Sequence, residues 1–134
     1  MKVVISASVR LQAEIQRWKN FFEEKGCEIL DAPKPVDPQC LIQCYPEIYR
    51  NFMESITRAD LLFVMNEDRD GIPGYIGAET FAELSFGLAR RTVDRQKIDL
   101  VLLKMPDSRV ACFEEVSLWR RLGWIKILGE EIVL

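Results

Sequence analysis

Five short apolar runs alternate along the chain with longer stretches in which apolar residues recur at helical spacing. Continuous apolar runs of this length are typical of strands that a parallel sheet buries on both faces. The runs predict five strands, with the sequences KVVIS (residues 2–6), CEIL (27–30), LLFVM (61–65), IDLVLL (98–103) and WIKIL (124–128), and those at 2–6, 61–65 and 98–103 should be buried.

Four amphipathic segments separate these runs. The first places Leu11, Ile15, Trp18 and Phe22 on one helical face, and Gly26 is the kind of residue that commonly follows a helix. The other three have the same spacing over residues 48–59, 79–90 and 113–122. The order βαβαβαβαβ predicts an α/β fold, namely a flavodoxin-like, doubly wound, five-stranded parallel sheet of order 2-1-3-4-5. We expect residues 1–134 to form a single domain of this kind.

Ligands of such sheets bind at the carboxyl ends of the strands, beside the point where the strand order reverses. Here that point lies between strands 1 and 3. The end of strand 1 supplies Ser6, Ser8 and Arg10, and strand 3 ends at Asn66. We therefore expect these four residues to face one crevice, together with the first two turns of the third helix.

The third helix belongs to the stretch GYIGAETFAELSFGLA, residues 74–89. Three glycines between residues 71 and 77 would let the preceding loop approach a ligand closely, although turn geometry alone could also require them. On the helix, Glu79 and Glu83 lie with Arg90 on the side opposite the apolar face. Periodicity alone therefore predicts a solvent-exposed stripe, with Glu79 at the positive end of the helix dipole.

Composition narrows the range of partners. A net charge of −3 and a pI of about 5.1 disfavour nucleic acid, because phosphate binding needs a basic face. No apolar run approaches the roughly 18 residues of a membrane span, and the apolar start is too short for a signal peptide. We therefore expect a cytoplasmic protein with neither nucleic-acid nor membrane partners.

The cysteines and the absence of histidine bear on the chemistry. In the cytoplasm, Cys27, Cys40, Cys44 and Cys112 should all be reduced thiols, without a disulfide. A helix would bring Cys40 and Cys44 together, but no second cysteine pair and no histidine could complete a zinc site. We predict no metal and no other cofactor. Without histidine there is no Ser-His-Asp or Cys-His arrangement, so carboxylates are the expected nucleophiles or acid–base groups.

The segment ADLLFVMN (residues 59–66) and the stretch at 74–89 together resemble the nucleoside 2-deoxyribosyltransferase family and its nucleotide N-glycosidase relatives. In those proteins an Ala-Asp strand, often ending in asparagine, precedes a Gly-Tyr-Ile-Gly type of loop and a helix that carries a glutamate. The segment ISASVR (residues 5–10) also resembles their first strand and substrate loop. The resemblance implies that Glu83 is the catalytic nucleophile toward C1′ of the sugar. It also implies a substrate-binding set, which comprises Ser6, Ser8, Arg10, Asn66, Tyr75, Gly77 and Thr80, and we expect Glu79 to hold the substrate one turn before Glu83.

The chain also departs from the family pattern. Ser85 and Gly87 follow the glutamate where glycine and alanine are usual, and Phe52 stands where an aspartate often assists at the leaving base. Arg10 could bind a 5′-phosphate and Tyr75 could stack on a base, whereas the spacing of Trp18 favours core packing. The proton donor to the base stays open among Asp31, Asp60, Asp68, Asp70 and Glu79, although Asp60 is more simply explained as support for strand 3.

The resemblance implies an enzyme that cleaves an N-glycosidic bond, or transfers deoxyribose, with a nucleoside or nucleoside monophosphate as its small-molecule partner. It also implies a homo-oligomer in which a neighbouring subunit helps to close the site. One alternative is a non-catalytic nucleotide- or nucleoside-binding domain on the same scaffold, which Phe52 favours. Another is a small interaction protein with an inert pocket.

Overall fold

A computed structural model describes residues 1–130 of the chain; residues 131–134, which the expected domain includes, lie outside the described part. The described residues form five strands and four helices. In chain order these are β1 Lys2–Ser6, α1 Gln12–Glu24, β2 Glu28–Asp31, α2 Leu41–Arg58, β3 Leu61–Val64, α3 Ala78–Thr92, β4 Asp99–Leu102, α4 Phe113–Arg121 and β5 Lys126–Ile127.

All strand pairs are parallel, and the strand order is β2-β1-β3-β4-β5. The predicted doubly wound α/β fold is therefore confirmed. In the central pair, Ser6 of β1 lies opposite Val64 of β3, and the backbone N–H of Met65 donates to the Ser6 carbonyl at 2.8 Å. The carboxyl ends of β1 and β3 are thus neighbours, which brings Ser6 and Asn66 close together at the same end of the strands.

The core consists of two apolar layers, one on each face of the sheet. α1 covers one face, and α2, α3 and α4 pack on the other. The prediction that Trp18 packs in the core is confirmed, because its ring lies 4.8 Å from that of Phe63. Asp60 supports the start of the sheet as expected, since the Lys2 N–H donates to its carboxylate at 2.8 Å. Among residues 1–130, no helix combines the length and the apolar character that crossing a membrane requires.

Gly87 faces the sheet at a point where α3 leaves no room for a side chain. A Cβ atom at this position would come within 2.9 Å of Leu62 Cδ2 and 3.0 Å of Leu100 Cδ2. Such distances are shorter than van der Waals contact, so with a side chain here either α3 or the two leucine side chains would have to move. Gly87 thereby fixes the height at which the rest of α3, including Glu83 one turn earlier, stands above the strands.

Two predicted features differ from the structure. α2 begins at Leu41, seven residues before the predicted start at residue 48. The pattern does not indicate this earlier start, because the first half of α2 exposes its apolar side chains to solvent instead of packing them in the core. The structure joins the sulfur atoms of Cys40 and Cys44, whose Cα atoms lie 5.7 Å apart, in contrast to the prediction of four reduced thiols. The Cys44 N–H donates to the Cys40 carbonyl at 2.8 Å, so the first turn of α2 brings both thiols within bridging distance. Cys27 and Cys112 are free.

Candidate active site

A cavity of about 430 Å³ opens at the carboxyl ends of β1 and β3. This volume falls within the range of about 300–1,000 Å³ that is usual for small-molecule sites. Its walls come from the loop after β1, the loop after β2, α2, and the segment that runs from the end of β3 into the first turns of α3. The sequence-predicted residues that line it are Ser8, Arg10, Asn66, Tyr75, Gly77, Glu79, Thr80 and Glu83, while Ser6 lies at the end of β1, in contact with Glu83.

Glu83 is the buried carboxylate of this cavity. Its residue surface is only 7% exposed, and its Oε1 accepts a 2.5 Å hydrogen bond from the Ser6 hydroxyl. The prediction of a solvent-exposed stripe is therefore wrong for Glu83, although Glu79 is exposed as expected. A helical pattern reports only the helix's own residues, whereas the flank of α3 that carries Glu83 is covered by β1 and α2.

The surroundings of Glu83 change its acidity. Burial raises the pKa of Glu83 from its ordinary value of 4.5 to about 7, and the hydrogen bond from Ser6 opposes this shift. The nearby carboxylates of Glu79 and Asp31 raise the pKa further. Both the charged and the neutral form of Glu83 are consequently populated near neutral pH, which is the range in which a carboxyl group can accept or release a proton during turnover.

Tyr45 is a cavity residue that the sequence did not indicate. Burial raises the pKa of its phenol, and so do Glu79, Tyr49 and Glu83. Tyr45 therefore stays protonated and can donate a hydrogen bond at neutral pH. A possible signal was the Tyr45–Tyr49 pair at i and i+4, whose ring centroids lie 6.0 Å apart.

Asn66 lines the cavity but directs its polar atoms into the protein. Its Nδ2 donates to the carbonyl oxygens of Gly74 at 3.1 Å and Lys104 at 2.7 Å, and its Oδ1 accepts from the Lys104 N–H at 3.3 Å. The Gly74 N–H in turn donates to the Asp68 carboxylate at 2.9 Å, and this bond lowers the pKa of Asp68. The geometry therefore makes Asn66 an anchor for the loop that carries Tyr75.

The glycines of that loop have different roles. Gly74 has a φ of 63°, and a Cβ atom there would lie 2.7 Å from the Met105 carbonyl oxygen, so only glycine fits. Gly71 also has a positive φ, of 77°, with no neighbour close to it. Gly77 has an ordinary φ of −81°, and it borders the cavity at the start of α3. Turn geometry thus accounts for the first two glycines, and only Gly77 offers close approach to a ligand.

Charged side chains surround the opening of the cavity. Arg10 and Lys34 come from the loops after β1 and β2, and both are exposed. Arg69 lies over the ring of Tyr75, 5.3 Å from its centroid. Such a cation–π contact orients the Tyr75 ring at the cavity wall. The opening is therefore cationic on the side of the β1 and β2 loops and acidic along α3.

The structure separates the five acids that the sequence left open as proton donors. Glu79 lines the cavity, and Asp31 is close enough to affect the pKa of Glu83. Asp60 accepts a hydrogen bond from the Lys2 N–H at the amino ends of the strands, away from the cavity. Asp68 anchors the loop before α3 through Gly74, and Asp70 is exposed beside Arg69. In the described part of the chain, no three side chains of His, Cys, Asp or Glu lie together as metal ligands would.

No family model matches the sequence, and no curated protein matches it either. Among solved structures, the chain is similar to a CMP N-glycosidase of Clostridium botulinum, BcmB, with a TM-score of 0.55. The two share 14% sequence identity, and the match covers 88% of this chain and 81% of the other. At this identity the likeness establishes the fold alone. The protein thus has a doubly wound α/β fold that a nucleotide N-glycosidase also adopts.

Proposed function

We propose that this protein cleaves the N-glycosidic bond of a nucleoside or nucleoside monophosphate, with Glu83 as the nucleophile. The observation that carries the proposal is that Glu83 is buried beside a cavity large enough for a nucleotide, with its carboxylate hydrogen-bonded to the Ser6 hydroxyl. A buried carboxylate with a strongly raised pKa in a cleft is typical of a catalytic group. The similarity to a CMP N-glycosidase and the sequence resemblance support the same class of reaction.

Cleavage develops positive charge at C1′ of the sugar, as in other glycosidic reactions. The ionised form of Glu83 would stabilise that charge or form a covalent glycosyl-enzyme. Water would then release the free sugar, or a second base would accept the deoxyribosyl group. The Ser6 hydroxyl fixes the orientation of the carboxylate, because it donates to one oxygen and leaves the other free for the substrate.

The remaining cavity residues suit the other parts of a nucleotide. Arg10 and Ser8, with Lys34 nearby, would bind a 5′-phosphate at the cationic side of the opening. Gly77 and Thr80 would border the sugar at the start of α3, and Glu79 would accept hydrogen bonds from its hydroxyl groups. Tyr75, oriented by Arg69, would stack on the base.

The second candidate is a nucleotide-binding domain without catalysis. Phe52 favours it, because this buried side chain borders the cavity where the resemblance implies an aspartate that assists the leaving base. In that case Glu83 would contact a ribose hydroxyl instead of attacking C1′. Binding without base release would identify this candidate.

A homo-oligomer also forms part of the proposal. The first half of α2 exposes a run of large apolar side chains beside the cavity, namely Leu41, Ile42, Tyr45, Ile48 and Tyr49. A second copy of the chain packed on this face would bury these side chains and narrow the cavity.

The experiment is a base-release assay on ribo- and deoxyribonucleosides and their 5′-monophosphates, with and without an acceptor base. Chromatography would separate hydrolysis from transfer. Glu83→Gln is the test variant, and Glu114→Gln is the matched control, because Glu114 is an exposed glutamate on α4 outside the cavity. Base release that is the same in wild type and Glu83→Gln would remove Glu83 from the mechanism.

A further inference from the structure

The wall that α2 contributes to the cavity contains no carboxyl group, and the raised pKa of the Tyr45 phenol makes this side chain a poor proton donor. Its residues are apolar or aromatic: Leu41, Tyr45, Ile48, Tyr49, Phe52 and Met53. Among residues 1–130, the carboxylates that line the cavity are Glu67, Glu79 and Glu83, and all three come from the segment that runs from the end of β3 into α3. The chain has no histidine that could replace them.

This distribution matters because of the geometry of displacement at C1′. If Glu83 approaches C1′ from α3, the bond to the base points away from α3, since the attacking and leaving atoms lie on opposite sides of the carbon. The loops after β1 and β2 present Arg10 and Lys34 to the cavity, and α2 presents rings and alkyl groups. None of these walls offers a carboxylic acid to the departing base.

A neutral base leaves readily only if it gains a proton, whereas a base that already carries a fixed positive charge leaves as a neutral molecule. We propose that the cavity acts on N-glycosides whose base is cationic, in the form of a 5′-monophosphate. This inference rests on the proposed N-glycosidic cleavage and specifies its class of substrate.

The charges and rings of the cavity support this class. Aromatic faces attract cations, and the rings of Tyr45 and Tyr49 border the cavity in addition to Tyr75, which has Arg69 over its ring. Arg10 and Lys34 would repel a cationic ring but attract a phosphate, so the phosphate would lie at the loops after β1 and β2 and the cationic base at the aromatic wall of α2.

The proposed step balances without an acid on the base. The bond between C1′ and the ring nitrogen breaks, and its electron pair neutralises the positive charge of the ring. Glu83 stabilises C1′ or bonds to it, water supplies the hydroxyl group that ends on C1′, and the remaining proton of that water is released to solvent. The ring departs neutral.

The test compares 7-methylguanosine 5′-monophosphate with guanosine 5′-monophosphate, which differ by one methyl group and the fixed charge that it creates. Rates are divided by the uncatalysed rate of each substrate, and nicotinamide mononucleotide is a second cationic probe. We expect kcat/KM for the methylated nucleotide to exceed that for the neutral one by at least about a hundredfold, the lower end of what a positioned acid contributes. After division by the uncatalysed rates, the neutral nucleotide should show no larger acceleration than the cationic one.

Other outcomes would overturn the inference in distinguishable ways. A kcat/KM ratio below about a hundred, or a larger acceleration for the neutral nucleotide, would mean that the chain protonates the base, in line with the usual contribution of a general acid. The proposed N-glycosidic cleavage would then stand, and the cationic class would be wrong. If neither these nucleotides nor the nucleosides and monophosphates of the base-release assay are cleaved, the proposed function itself fails, and the substrate class fails with it.

Discussion

Replacing Glu83 with glutamine should stabilise the protein most at alkaline pH, because the native fold buries a carboxylate that prefers to be neutral. In the unfolded chain this group has its ordinary pKa of 4.5, and in the folded chain burial raises the pKa to about 7. Between these values the native state binds more protons than the unfolded state. The free energy of unfolding therefore falls as pH rises through this window.

The size of the effect follows from the two pKa values. One unit of pKa corresponds to about 1.4 kcal/mol, so the full penalty above the folded pKa is roughly 3 kcal/mol. Near about pH 5 the same relation leaves a penalty of only about 1 kcal/mol, because most folded molecules then carry the neutral acid. Glutamine has no charge to bury, and its side-chain oxygen can still accept the hydrogen bond from Ser6.

The assay is denaturant unfolding of wild type and Glu83→Gln across this pH range, which needs no substrate. The stability difference between the two should grow by about 2 kcal/mol between about pH 5 and about pH 8. Glu79→Gln is the matched control, since Glu79 lies one turn earlier on the same helix but is exposed, and it should show no comparable trend. If the difference between wild type and Glu83→Gln is independent of pH, Glu83 is not a buried, strongly shifted carboxylate and the reasoning fails.

Three further predictions test other parts of the argument. On a confirmed substrate, Glu83→Gln should lower turnover at least about a hundredfold, roughly 3 kcal/mol at the transition state, with a smaller change in ligand affinity. Glu79→Gln should lower turnover less. If neither variant changed turnover, neither carboxylate would take part in the reaction. Gly87→Ala should lower stability by about 1–3 kcal/mol in thermal or denaturant unfolding, because the new methyl group would meet Leu62 at 2.9 Å. A stabilised variant would show that the contact between α3 and the sheet has room for a methyl group. Ile42→Glu should shift a homo-oligomer toward the monomer in light scattering after size-exclusion chromatography, since this side chain is 87% exposed on the apolar face of α2; an unchanged mass would exclude that face as the interface.

The fold could be predicted because burial on both faces leaves an unmistakable sequence pattern. Strands such as β3, in which all four residues are buried, appear as continuous apolar runs. The alternation of strands and helices predicts the strand order, which makes β1 and β3 neighbours. Ser6 and Asn66 are then expected to lie close together, because the carboxyl ends of parallel strands lie on the same side of the sheet. The candidate cavity was therefore located from topology. The roles of its residues, the homo-oligomer and the cytoplasmic location remain predictions.

The rest could not be predicted because it depends on contacts between elements. The first half of α2 exposes its apolar side chains, so neither its start nor the presence of Tyr45 in the cavity was apparent. The burial of Glu83 depends on β1 and α2, which its own helical pattern does not report. Helical spacing predicts only that Cys40 and Cys44 lie close together, and the expectation of reduced thiols rested on cellular location alone.

The energetics of Glu83 give the strongest reason to regard this cavity as functional. Gly87 lets α3 approach the strands, and the end of β1 presents a single hydroxyl to the carboxylate. Above neutral pH this arrangement costs about 3 kcal/mol, a large part of the roughly 5–15 kcal/mol by which domains are stable. A merely structural role would be filled as well by glutamine, which can accept the same hydrogen bond without the penalty. The carboxylate therefore requires an explanation outside folding, and stabilisation of positive charge at C1′ provides one.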